Sequence, residues 1–302
     1  MKTDKNEEKK GMKKRYKILI GLIFILISTI LYGMFIGTSG LFVKEYKIVN
    51  KNIPDSFYGT KIIHISDIHY GRTVKDEELK RIVEEVNKLN PDIVIFTGDL
   101  IDRDTKVNDY MINSITTCLK EINAKLGKYA IYGNHDYVFK EYPNILQNSG
   151  FILLKNSYDI IYNESYDPIF LGGIDDNLEG KANIDEVMNY YKVEEPVEGS
   201  EVMEEKVLPK YKIILMHEPD YFNQFNDKYD IDLVLSGHSH NGQVRLPFIG
   251  GLKTVKGAKI YNKPYYKINK TDMYISSGIG TSKFNIRLFN RPSFNLYRLV
   301  NK

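Results

Sequence analysis

The chain has 302 residues, 42% of them hydrophobic and 27% charged, with a formal net charge of +3, one cysteine and no tryptophan. That length suits one large α/β domain with a buried sheet, plus an appendage, better than two compact domains. A lone Cys118 excludes an internal disulfide, a CxxC redox motif and a cysteine-based metal site, and it reads as a small buried apolar residue.

The charge is unevenly spread. Eight Lys and Arg lie within residues 1–17 against three acids, a local balance of +5, so the remaining 285 residues sum to −2. A folded domain of that sign lacks the positive field with which nucleic-acid binders neutralise phosphates, and no nucleic-acid partner is expected.

Residues 18–36, ILIGLIFILISTILYGMFI, form an uncharged run of nineteen residues. As a helix rising ~1.5 Å per residue the run spans about 28 Å, close to the hydrocarbon core of a bilayer. It is longer than the ~7–15-residue apolar stretch of a secretory signal, which predicts a retained anchor even though Gly37, Thr38 and Ser39 offer a candidate cleavage site. No cysteine stands directly after the run, which excludes lipoprotein attachment. Because eight Lys and Arg precede the span and only Lys44, Lys47 and Lys51 follow it within fifteen residues, residues 1–17 are expected on the cytoplasmic side of the cell membrane and residues 44–302 outside it, as a single-pass protein.

Beyond the anchor, short apolar runs alternate with amphipathic stretches, the pattern of an α/β sheet flanked by helices. KIIHIS, from Lys61, reads as a strand. Asp76–Asn90 sets Leu79, Ile82, Val83, Val86 and Leu89 at helical spacing and stops before Pro91, after which DIVIFTG reads as the next strand. A strand, helix and strand so closely joined imply a right-handed crossover and parallel pairing. The strand signature recurs from Lys128, Phe151, Ile169, Lys212 and Asp232, and MYISSGIG and FNLYRLV close the sheet. Residues 192–206 carry six glutamates among few apolar residues and read as an acidic surface insertion.

The strand ends carry the chemistry. SDIHYG, TGDL, YGNHDY, LMHEPD and SGHSHNG place Asp67, His69, Asp99, Asn134, His135, His217, His238 and His240 just past the carboxyl ends of five strands. That edge is where open α/β sheets bind ligands, and so many converging polar groups are costly to bury without a cation or ligand to satisfy them. Imidazole, carboxylate and amide oxygen suit Mn, Fe or Zn. Two ions sharing a carboxylate, most naturally Asp99, would provide a centre for phosphoryl chemistry. The two-residue spacing in DIH and HSH lets one turning segment offer both ligands, and Gly98 and Gly237 permit close backbone approach. Five of the six histidines sit in these motifs; the sixth, His64, lies inside a strand pattern and reads as a hydrogen-bonded core residue.

The ordered set DxH, GD, GNH followed by an acid, a lone His, and GHxH resembles the signature of the calcineurin-like metallophosphoesterase superfamily, from about Lys61 to Leu299. The resemblance implies a layered α/β fold with central sheets flanked by helices. It implies a dinuclear metal-dependent phosphohydrolase, with two divalent ions, manganese favoured. Asp67, His69, Asp99 and His240 would hold one ion; Asp99, Asn134, His217 and His238 would hold the other. His135 would act near the leaving group with Asp136 orienting it, and a metal-bridging hydroxide would attack phosphorus in line. Gln243, Arg245 and Arg287 are the candidate substrate contacts. HEPD, SGHSHNGQVRLPFIGG and SGIGTSKFNIRLFNRPSF are similar to the membrane-associated bacterial branch, some of whose members act on UDP-diacylglucosamine or related phosphodiesters. Ser239, Asn241 and Ser293 depart from residues common there, which leaves the substrate open among a phosphodiester, a phosphomonoester and a pyrophosphate, lipid-linked ones included. The alternative is a membrane-tethered module whose metal site holds a ligand without turnover; an intact His135 with Asp136 argues against it.

Overall fold

The computed structural model describes residues 2–192 and 207–300, with side chains from residue 13. All but the first residue of the acidic insertion expected over 192–206 lies outside the described residues.

A long helix, α1 (Lys2–Leu31), ends in a π-helical turn, Tyr32–Ile36. Its stretch Lys13–Ile36 is long and apolar enough to cross a membrane, with nearly every side chain exposed. Then follow β1 (Phe42–Val49), β2 (Lys61–Ile65), α2 (Asp76–Lys88), β3 (Ile93–Phe96), α3 (Asp109–Lys120), β4 (Gly127–Ala130), α4 (Tyr142–Asn148) and β5 (Ile152–Leu153). The second half runs β6 (Ser157–Ile161), β7 (Ile169–Gly173), α5 (Ile184–Val187), β8 (Tyr211–Met216), β9 (Leu233–Ser236), β10 (Arg245–Leu246), β11 (Gly250–Gly251), β12 (Tyr265–Ile268), β13 (Thr271–Ile275) and β14 (Ser293–Val300).

Among the described residues two six-stranded sheets form, the layered arrangement that the resemblance implies, and β10 and β11 pair as a separate two-stranded ribbon. The first has the order β1-β14-β2-β3-β4-β5 and the second β12-β13-β9-β8-β7-β6. Their inner strands are apolar on both faces, as in β3, β7 and β9, so each sheet can bury one face against the other sheet and the opposite face under helices. Ile62, Ile93 and Ile95 of the first sheet share a core with Leu171, Ile213, Leu215 and Leu235 of the second. The alternate residues Ile63, Val94 and Phe96 pack instead against Leu79, Ile82, Val83 and Val86 of α2 and Ile115 and Leu119 of α3. Four parallel pairings, β2 with β3, β3 with β4, β7 with β8 and β8 with β9, line up the carboxyl ends of the motif-bearing strands along one edge of the sandwich.

His64 is fully buried, its ring nitrogens 2.8 Å from Thr97 Oγ1 and 3.2 Å from the Tyr297 hydroxyl, as a core histidine should be. Cys118 is only half-buried, packed beside the α2 and α3 core.

Candidate metal centre and active site

Five strand-end loops deliver the predicted ligands into one buried cluster, and the backbone is bent to do it. Asp67, His69, Asp99, His238 and His240 all take left-handed conformations, with φ between 46° and 62°, which non-glycine residues adopt at a cost and mainly where function holds them. Gly237 and Gly98 show why these loops need glycine. A Cβ on Gly237 would overlap the Ser66 hydroxyl and the Asp67 carboxylate, and one on Gly98 would overlap the Gly133 backbone.

The donor atoms form two groups joined by one carboxylate. On one side His240 Nε2 lies 3.3 Å from Asp67 Oδ1 and 3.0 Å from His69 Nε2. On the other, Asp99 gathers with His217 and His238. Asp99 Oδ2 stands between the groups, 3.6 Å from His69 Nε2 and 3.4 Å from His217 Nε2, while Oδ1 accepts the His135 N–H at 2.8 Å. Ligands about 2.0–2.2 Å from a common cation lie about 3–3.5 Å apart, so these spacings fit donors facing an ion.

The donor set meets the chemistry of divalent cations. Asn134 Oδ1 and His217 Nε2 are buried with no hydrogen-bond partner, an arrangement proteins avoid unless something else satisfies the atom. The ring nitrogens turned away from the cluster are held: His217 Nδ1 donates to the Thr97 carbonyl at 2.6 Å and His238 Nε2 to the Lys256 carbonyl at 2.8 Å. Such outer partners fix the tautomer that presents a lone pair to a metal. Burial opposes ionisation of Asp67 and Asp99, yet the surrounding histidines, His240 for Asp67 and His217 for Asp99, hold both carboxyls below the usual range. Burial keeps His238 and His240 neutral, each lowered to about 4.

Asp102 is a member that the motifs did not announce. Its carboxylate faces His69 Nδ1 at 3.5 Å and takes a two-pronged contact from Arg72, at 3.0 and 3.2 Å. It therefore backs His69 as the carbonyls back His217 and His238. Its only sequence signal is an acid three residues past the GD motif.

Asp136 does not orient His135. Its two oxygens accept the backbone N–H groups of Asp99, Gly133 and Leu100 at 2.7, 2.8 and 2.9 Å, so it clamps the second and third motif loops together. Burial and the Asp99 charge raise its pKa to about 7 against the pull of those donors. His135 is set instead by the Arg103 N–H, which donates to Nδ1 at 3.0 Å. That bond places the ring proton on Nε2. Burial, with His69 nearby, lowers the His135 pKa.

The three candidate substrate contacts are engaged elsewhere. Arg287 is fully buried, and its guanidinium bonds the carbonyls of Ser277, Gly278, Gly280 and Asn290 behind His240. Arg245 bonds the Asn241 and Asn262 carbonyls and does not line the cleft. Gln243 lines it, but its amide is tied to the backbone of Ser282, Phe284 and Ile286. A free guanidinium or amide cannot be recognised from sequence where loop carbonyls compete for it. The cleft, about 610 Å³, is instead rimmed by Arg72, Arg103, Lys253, Lys256 and Lys283, with Leu252, Val255, Phe284 and Ile286 as an apolar wall.

Residues 60–242 match the family model for calcineurin-like phosphoesterases. The chain belongs to the calcineurin-like phosphoesterase family. The chain is similar to the uncharacterized metallophosphoesterase YkuE of Bacillus subtilis, 28% identical over 271 residues that cover 89% of this chain and 88% of that one. A metallophosphoesterase of Aquifex aeolicus is 30% identical over 86% of this chain and 92% of its own. A Danio rerio transmembrane protein with a metallophosphoesterase domain is 29% identical over 89% of this chain and 60% of its own length.

Proposed function

We propose that this phosphoesterase is a dinuclear enzyme that hydrolyses a phosphodiester, phosphomonoester or pyrophosphate bond at a membrane, with lipid-linked esters among its substrates. The observation that carries the reading is the position of Asp99 Oδ2 between the two donor groups, within 3.6 Å of a histidine nitrogen in each. Asp67, His69, His240 and Asp99 would hold one divalent cation, and Asp99, Asn134, His217 and His238 the other. Cations held there would neutralise phosphoryl oxygens and acidify water near neutral pH.

The remaining steps belong to the chain. Arg103 and the rim lysines attract the anionic ester and orient it, while the Arg72 guanidinium is held by Asp102, Asp104 and the Lys283 carbonyl. His135, on the cleft wall with Nε2 protonated, donates a hydrogen bond to charge building on a phosphoryl oxygen or the departing oxygen. Because its Nδ1 already accepts an N–H, it serves as a neutral donor and not as an imidazolium acid. Asp102 holds His69, and Asp136 holds the loops of Asp99 and Asn134.

For location, residues 1–17 would be the cytoplasmic N-terminus, 18–36 the anchor in the cell membrane and 44–302 the extracytoplasmic domain, with 192–206 an acidic surface insertion. Support comes from the one-sided basic cluster and the exposed apolar helix.

The test is turnover by the detergent-purified full chain loaded with Mn²⁺ on bis-(4-nitrophenyl) phosphate, 4-nitrophenyl phosphate, an alkyl phosphodiester and a UDP-linked lipid. Hydrolysis of at least one, abolished in Asp99→Asn, is expected. Metal binding without turnover of any would favour the tethered binding module.

A further inference from the structure

The loop before β14 touches the membrane-spanning candidate directly. The Arg287 N–H donates to the Gly33 carbonyl at 2.9 Å, and Gly33 is buried there, with Ile286 so close that a Cβ on it would sit 2.8 Å from that side chain. Gly33 lies within the apolar run, three residues before Ile36, so about 4.5 Å of helix remains beyond it. If the helix spans, the loop is drawn to the depth of the bilayer interface.

On either side of that contact the loop leaves two aromatic side chains uncovered: Phe284 is 68% and Phe289 66% exposed. The residue next to Phe284 is Lys283, and Arg291 follows, its guanidinium 5.3 Å from the Phe42 ring. Aromatic rings with adjacent cations are the composition of a segment seated among lipid headgroups.

The sheet topology puts the catalytic edge at the same place. β1, which leaves the anchor, runs parallel to β14, and β14 runs antiparallel to β2. The carboxyl end of β2, where Asp67 and His69 begin, therefore lies at the edge where β1 starts. Lys283, Phe284 and Ile286 belong to the cleft wall.

We propose that the loop over residues 281–290 is a second membrane contact, which seats Phe284 and Phe289 in the lipid interface and opens the cleft onto the headgroup layer. This rests on the reading of residues 18–36 as a membrane span. A phosphorylated headgroup reaches the site while its acyl chains stay in the bilayer, and a soluble ester must enter past the lipid surface.

The chain has no tryptophan, so a single introduced indole reports its own position without background. Phe284→Trp, Phe289→Trp, Phe24→Trp in mid-helix and Tyr166→Trp are made in the full chain and reconstituted into phosphatidylcholine–phosphatidylglycerol vesicles. Acyl chains brominated along their whole length are the quencher. Tyr166, 90% exposed between β6 and β7, sits at the opposite edge of the second sheet from the cleft. The proposal predicts strong quenching of Phe24→Trp, blue-shifted emission and quenching at least half as strong for Phe284→Trp and Phe289→Trp, and none for Tyr166→Trp. If Phe24→Trp is quenched while either loop residue behaves like Tyr166→Trp, the second contact is overturned and the span stands. If Phe24→Trp is not quenched, both are overturned.

Discussion

Replacing Asp136 distinguishes a loop clamp from an orienter of His135. The fully buried carboxylate accepts three backbone N–H groups, from Asp99, Leu100 and Gly133. Asp136→Ala strands all three, at about 1–3 kcal/mol for each buried unpaired donor. From the middle of that range, about 6 kcal/mol for three donors, removing a carboxylate that burial and Asp99 disfavour returns about 1–4 kcal/mol, so the net loss is about 2–5 kcal/mol. For a domain of this size that lowers the melting temperature by about 10 °C. Asp136→Asn keeps the bonds from Asp99 and Gly133 on its oxygen but turns an amide N–H toward the Leu100 N–H, so its loss is about 1–2 kcal/mol. Thermal unfolding of the two variants beside wild type, in one detergent and with chelator present, isolates this effect from metal binding. Melting within 1 °C of wild type for Asp136→Ala, together with a large loss of turnover, would refute the clamp and restore the orienting role.

Other outcomes follow from the same geometry. His135→Ala should retain its metal and lose about 10²–10³ in turnover, by similar factors on nitrophenyl and alkyl esters; a much smaller loss on the nitrophenyl ester would restore a proton-donating role. Arg287→Met should cost several kcal/mol of stability by unpairing buried carbonyls, and a variant that melts like wild type but has a raised KM would restore it as a substrate contact. Lys44 is half-buried beside Arg287 and Arg245, and burial with those two cations lowers its pKa to about 8. The folded state thus binds fewer protons between pH 8 and 10.5, and the wild type should gain about 3 kcal/mol on Lys44→Met as pH rises through that window; parallel stability profiles would contradict it. Protease added to spheroplasts should remove the domain beyond residue 44, and full protection would reverse the proposed topology.

How much the sequence reveals depends on how local each relation is. Asp67 with His69 and His238 with His240 lie two residues apart at strand ends, so spacing alone pairs them. Asp102 escapes because its partner His69 is 33 positions away, joined only where β2 and β3 pair. β1 escapes because FVKEYKIV mixes charges into its run and is fixed by β14, at the other end of the chain. The second sheet is hidden for another reason: strands apolar on both faces look the same whether a helix or another sheet covers them. Arg287, Arg245 and Gln243 show the limit for polar residues, since loop path decides whether carbonyls or a substrate receive their N–H groups.

The central claim is that one carboxylate serves two cations, and elemental analysis of the reconstituted full chain tests it most directly. Wild type should hold two divalent ions per chain, His240→Ala and His238→Ala about one each, and Asp99→Asn fewer than either, because the shared oxygen belongs to both donor groups. One ion in wild type, or an Asp99→Asn variant that loses a single ion and keeps the other at full occupancy, would contradict the account.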